Sequence, residues 1–175
     1  MISGISSSQV IIGDAVGTAP ANNKTSVLLE FAATQNKGII LPYVRTLPAN
    51  PAEGTILLDA STPTAARIKY YNANTTPGSN GWKDLSGQDS DVTASLAGQP
   101  NIAEAANAKA IIGSDYSPAD GVLVLESTSK AMILPTVTDV NNIPSPSPGM
   151  MVYVNKAGAK RLAVFNGAKW SFWKP

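Results

Sequence analysis

With no cysteine and no histidine in the chain, its chemical capacity rests on carboxylates and aromatic rings. That composition removes disulfides, thiol nucleophiles, Ser-His triads and the usual zinc sites. Asp89 and Asp91, in Gln88–Asp89–Ser90–Asp91, alternate like the start of a calcium loop. The third acid, the glycine and the terminal glutamate of such a loop are missing, so the stretch reads as solvated linker. Glu30 and Glu126 recur at matching positions in two similar stretches, where each is expected to cap a strand or to pair with Lys37 and Lys130. Glycoside cleavage needs two carboxylates converging in one cleft, and neither order nor spacing implies such a pair. The reading is of a chain with no catalytic, cofactor-binding or metal-ligating residues, and not of an enzyme.

The aromatic residues carry more. Trp82, Trp170 and Trp173 stand with Tyr70, Tyr71, Tyr153, Phe165 and Phe172 near predicted hairpins, where such rings usually fill cores or subunit contacts. The ending Trp170–Ser171–Phe172–Trp173 puts Trp170 and Phe172 on one strand face and Ser171 and Trp173 on the other. Aromatic rings on both faces of a terminal strand imply burial on both sides, hence a contact between subunits. Trp170, Phe172 and Trp173, joined by the apolar Ile2, Ile5 and Ile102, form the candidate interface.

The elements that position these residues follow from composition and pattern. Apolar residues are 43% of the 175 and charged residues 14%, with 14 Gly and 13 Pro. That mixture suits a turn-dense β protein rather than a helical bundle. The net charge is +1 and no cationic cluster exceeds Lys160–Arg161, so a phosphate backbone is not an expected partner. The longest apolar runs are far too short to span a bilayer. Met1 to Gln9 lacks the basic and apolar regions of a signal peptide.

Strands are predicted over Val10–Gly13, Ser26–Phe31, Lys37–Leu41, Gly54–Asp59 and Ala65–Asn72, closing with Trp82–Leu85. In Ala65–Asn72 the period of two sets Ile68 and Tyr70 opposite Arg67, Lys69 and Tyr71. Ser86 to Gln99 reads as a polar linker. Asn101 to Ala110 reads as one short helix, capped by Asn101 with Glu104 three residues on. Then the pattern restarts. Ala110–Gly113 echoes Val10–Gly13 at a spacing of 100 residues, Val122–Glu126 echoes Val27–Glu30, and Lys130–Pro135 echoes Lys37–Pro42. Leu162 to Trp170 echoes Ile68 to Trp82, with Asn166–Gly167 as a two-residue hairpin signal. The expectation is a mainly β chain of two tandem small antiparallel modules, produced by internal duplication and joined by a polar linker and one short helix. Its parts are an N-terminal attachment segment (1–9), β module 1 (10–86), the linker with its helix (87–110) and β module 2 (111–175). Modules so small commonly complete their cores by oligomerisation.

The motif Lys37–Gly38–Ile39–Ile40–Leu41–Pro42–Tyr43–Val44–Arg45, followed by Tyr71–Asn72 and Trp82, resembles a β module of tail-fibre and head-fibre proteins from phages of Bacteroidetes. The same module occurs in adhesin-like surface proteins of those bacteria. The family's core runs "KGFLPPR" and ends "YN-G-x-W". The second stretch departs further: Ala131 replaces the Gly, Thr138 stands near the place of the Arg, and Phe165–Asn166–Gly167–Ala168–Lys169–Trp170 is kept. The resemblance covers about Ser26–Leu85 and Val122–Trp173. It implies a non-enzymatic virion protein, a head-fibre, capsid-decoration or short fibre protein at the virion surface. The implied partners are its own copies as a homotrimer or dimer, capsid or tail proteins, and a host-surface glycan, with no cofactor. The alternative it implies is a module of a secreted bacterial adhesin.

Overall fold

The structure, a computed structural model, describes residues 9–13, 17–33, 35–75, 80–100 and 108–173. The chain is mainly β. In order, the strands are β1 (Val10–Ile12), β2 (Val27–Phe31), β3 (Ile39–Ile40), β4 (Tyr43–Val44), β5 (Ile56–Asp59), β6 (Arg67–Tyr71) and β7 (Trp82–Asp84). After helix α1 (Thr93–Ala97) come β8 (Ala110–Ile112), β9 (Leu123–Leu125), β10 (Ala131–Met132), β11 (Thr136–Val137), β12 (Met150–Val154), β13 (Arg161–Phe165) and β14 (Trp170–Trp173).

Both halves use one pairing scheme. β1 lies parallel to β2, and β8 parallel to β9. β4 is parallel to β5, followed by antiparallel β6 and β7; β11 is parallel to β12, followed by antiparallel β13 and β14. The halves also exchange strands. β3 leaves the first half to pair antiparallel with β12, through Ile39↔Met151 and Ile40↔Met150. β10 leaves the second half to pair parallel with β2, through Met132↔Leu29. The expected antiparallel pairing holds along β5–β6–β7 and β12–β13–β14, while β1–β2, β4–β5, β8–β9 and β11–β12 are parallel.

The exchange decides where the core lies. Leu41, Leu58, Ile68 and Leu85 of the first half bury with Met151 and Val164 of the second in one cluster. The opposite face of β12 and β13 packs Val152, Val154 and Ala163 against Val137, Val140 and Ile143. With both faces covered, β12 is apolar at every position rather than alternating, which is why Met150–Val154 reads as a continuous apolar run. In β6, Ile68 is fully buried while Arg67 and Lys69 turn to the polar face, as their period of two predicts.

Two expectations change. The helix expected over Asn101–Ala110 falls mostly outside the described residues. A helix does form at Thr93–Ala97, inside the stretch read as polar linker. That stretch packs: Val92 and Leu96 join the shared core, Ser86 and Ser90 are buried, and Ser90 bridges to Ala66. Two apolar residues four apart on one helical turn anchor it where its composition reads as solvated. The β13–β14 turn also differs, since Gly167 has positive φ and Asn166 does not. Asn166 is wholly buried, its Oδ1 accepting from the amides of Ala168 and Lys169 and its Nδ2 donating to the Gln88 carbonyl at 2.9 Å. Its side chain closes the turn, so its backbone stays ordinary.

Candidate functional site

Several of the described carboxylates are tied into the fold. Asp59 sits beneath Lys69 Nζ at 2.7 Å and accepts from the Ser61 amide at 3.0 Å. Burial alone raises the Asp59 carboxyl, but the bonds from Lys69 and Ser61 outweigh it and hold it below the usual carboxylate range. Arg67 bridges Asp84 and Asp89, each at 2.6 Å. Burial likewise raises Asp84, and the bonds from Ser86 and Arg67 overcome it. Asp91 accepts from the Thr93 amide at 2.9 Å, at the start of α1. The residues that alternate like a calcium loop therefore serve an arginine clamp and a helix start. No group of three or more acids gathers among the described residues.

Glu30 is the most buried of the carboxylates described, with no exposed surface. It takes the Ala19 amide at 2.9 Å, Lys24 Nζ at 3.1 Å and the Gln9 side-chain amide. Gly17 lies so close that a Cβ there would fall 2.0 Å from the carboxyl carbon. The partner of Glu30 is thus Lys24 and not Lys37, which is exposed. Nor do the two glutamates match in register. Ile11 faces Glu30, but Ile111 faces Val124, so Glu126 lies two residues beyond the counterpart of Glu30. Glu126 accepts the Ser117 hydroxyl. Both acids pin the loop that precedes their strand, a role reached from two different positions because those loops differ in length.

The aromatic end is divided by face. Trp170 packs on Phe165 with ring centroids 5.2 Å apart, and the Arg161 guanidinium lies 4.6 Å from the Phe172 ring. Trp170, Phe172 and Arg161 border a shallow cleft with Asp139, Val140 and Lys156. The other face turns to the first half. Trp173 Nε1 donates to the Leu85 carbonyl at 2.7 Å, and the Ser171 hydroxyl donates to the Ser86 carbonyl. Part of the burial assigned to a second subunit is therefore supplied within the chain. Phe172 and Trp173 keep 43% and 50% of their surface exposed. Ile2, Ile5 and Ile102 lie outside the described residues.

Sequence reasoning missed the open apolar strand edges. Ile40, Val122 and Leu123 are 52%, 57% and 47% exposed. Val27, Leu28 and Leu29, in the strand that corresponds to β9, are 3% exposed or less. Among the described residues β9 pairs with β8 alone, while β2 holds β1 on one edge and β10 on the other. Asymmetry between otherwise equivalent strands was the signal, and it is visible only once pairing is known.

Residues 111–174, the second half from β8 to the aromatic end, match the family described as "Phage tail like trimerisation region". No curated protein and no solved structure is detectably similar to the chain.

Proposed function

We propose that this chain is a non-enzymatic structural protein of a phage particle, a short fibre or head-decoration protein that works as a homotrimer. The observation that carries the reading is the match of residues 111–174 to a phage tail-like trimerisation region. The exposed apolar edges at Ile40, Val122 and Leu123 support it, since a chain designed to stay alone blunts such edges. So does the employment of Asp59, Asp84, Asp89 and Glu30 in ion pairs that brace the fold.

Under this reading 10–86 and 111–175 are two copies of one module, and the strand order they share supports their origin by duplication. The lysine-led stretches Lys37–Pro42 and Lys130–Pro135 supply the exchanged strands, in keeping with the Bacteroidetes phage-fibre module they resemble. Residues 1–9 attach the trimer to capsid or tail proteins. The exposed rings of Tyr116 and Phe172 face outward, where an aromatic surface suits the apolar face of a host glycan.

Light scattering of the purified chain after size exclusion tests the assembly, and antibody labelling of particles tests the place. The expected result is a mass three times that of the chain and label at the virion surface. A monomer at tens of micromolar, or particles that lack the protein, overturns the proposal.

A further inference from the structure

The strand-exchange junction inside the chain has two contacts, and each lacks its counterpart among the described residues. The first half's exchanged strand, β3, pairs with β12 and with nothing on its other side among the described residues. The second half's exchanged strand, β10, pairs with β2 and likewise with nothing else. Ile39 corresponds to Met132, and Ile40 to Ile133, in the two lysine-led stretches. One strand therefore fills the slot on one side, and its counterpart fills the slot on the other.

The hydrogen-bonding directions agree. Leu41 N donates to the Gly149 carbonyl at 3.1 Å, and Tyr153 N to Pro135. The alternation of a ladder then aims Ile39 and Leu41 at β12 and aims the amide of Ile40 away from it. In the other half the corresponding Ile133 donates its amide to the Leu29 carbonyl at 2.8 Å. Ile40 thus presents outward the donor that Ile133 uses. The matching acceptor is also open. Ala110 N donates to Val122 and Glu126 N to Ile112, so the main chain of Leu123 faces away from β8. By register Leu123 is the counterpart of Leu29, since Val10 faces Leu29 and Ala110 faces Leu123.

The second slot is equally vacant. Leu58 N bonds to Pro42 as Tyr153 N bonds to Pro135, which makes Ile56 the counterpart of Met151. Met151 receives Ile39. Ile56 receives no strand at that edge among the described residues, and space around Gly54 is open.

We infer that the occupant of both slots is a second copy of this chain, docked head to tail through a repeat of the junction that joins the two halves: β3 of one copy adds to the open edge of β9 of the next, and β10 of that next copy adds to β5 of the first at Thr55–Ile56. The two additions occur in a single contact, as they do within the chain. Ile40, Val122 and Leu123, apolar and about half exposed, become covered, as Leu28 and Leu29 are buried and Ile133 partly buried. A contact of this kind is heterologous, so it closes only if its rotation returns to the start. Closure after three chains gives a ring of six quasi-equivalent halves. This inference rests on the trimeric reading above, and supplies its contact.

The chain has no cysteine, so a designed pair is unambiguous. Ile39→Cys with Leu123→Cys places thiols on register partners of adjacent strands, within disulfide reach. Mild oxidation of the full-length double variant is expected to give a denaturant-resistant trimer band that reductant returns to monomer. Neither single variant gives such a band. Leu123→Lys, a charge on an edge exposed in the single chain, is expected to reduce the mass to one chain while the far-ultraviolet circular dichroism is unchanged. Wild-type trimers without the cross-linked band, or a trimeric Leu123→Lys, overturn the strand-edge contact and leave the trimeric reading standing. A monomeric wild type overturns both.

Discussion

The single residue under most constraint is Glu30, because a buried carboxylate is tolerable only when its donors are all in place. Gly17 makes the room for it. Gly17→Ala drives a methyl into the carboxyl group, and the expected loss is about 1–3 kcal/mol of stability, read by denaturant titration. A second expectation follows from Asp59 and Asp84, whose carboxyls are held low when folded. A depressed folded value means the stabilisation is full above the unfolded value, about 3.9, and is lost as pH falls through the folded one. Melting temperature should therefore hold from neutral pH to about 4 and then fall. Asp59→Asn should make that fall shallower, and an equally steep fall in the variant would show that the Lys69 pair is not its source. Of these roles, the sequence announced the acids but not their partners. Lys24 and Lys37 flank Glu30 at almost equal distances along the chain, and Lys24 reaches it because the loop before β2 folds back; loop paths leave no periodicity to read.

Among the elements, those with a clear period were legible and those held by tertiary contact were not. The alternation in Arg67–Tyr71 and the echo of Val10–Gly13 in Ala110–Gly113 translate directly into β6, β1 and β8. Helix α1 does not: five residues lack the length to show an amphipathic pattern, and its formation depends on Leu96 entering a core built by distant strands. Leu96→Ala is expected to cost about 2–5 kcal/mol, the range for a buried leucine, despite its place in a stretch of linker-like composition. A loss below 1 kcal/mol in chemical denaturation would mean the helix is an ornament on the core. The terminal strand was half legible. Its two-faced aromatic pattern implied burial on both sides; within the chain Leu85 and Ser86 bond one face, while Phe172 and Trp173 stay about half exposed.

For the whole molecule, the boundary drawn between modules in the sequence does not coincide with a boundary in packing. Repeats in sequence mark equivalence of local structure; they do not say which copy supplies a given strand. The cluster that unites Leu41, Leu58 and Ile68 with Met151 and Val164 makes the two halves thermodynamic partners. Met151→Ala, formally a change in the second half, should lower the midpoint of a single transition followed at Trp82 in the first half and at Trp170 in the second. Two separable transitions would contradict the exchange of strands. The exchange also bears on the chain's birth. The partner of Ile39 is Met151, more than a hundred residues downstream, so β3 waits on the ribosome until more than a hundred further codons have been read. At about 5–20 residues per second, that delay lasts several seconds at least. Throughout it β2 and β3 present bare main-chain edges to every nascent neighbour. Transcripts carrying several ribosomes hold such neighbours close, and the same open edges that let copies join also set a race between correct closure and tangling on one polysome.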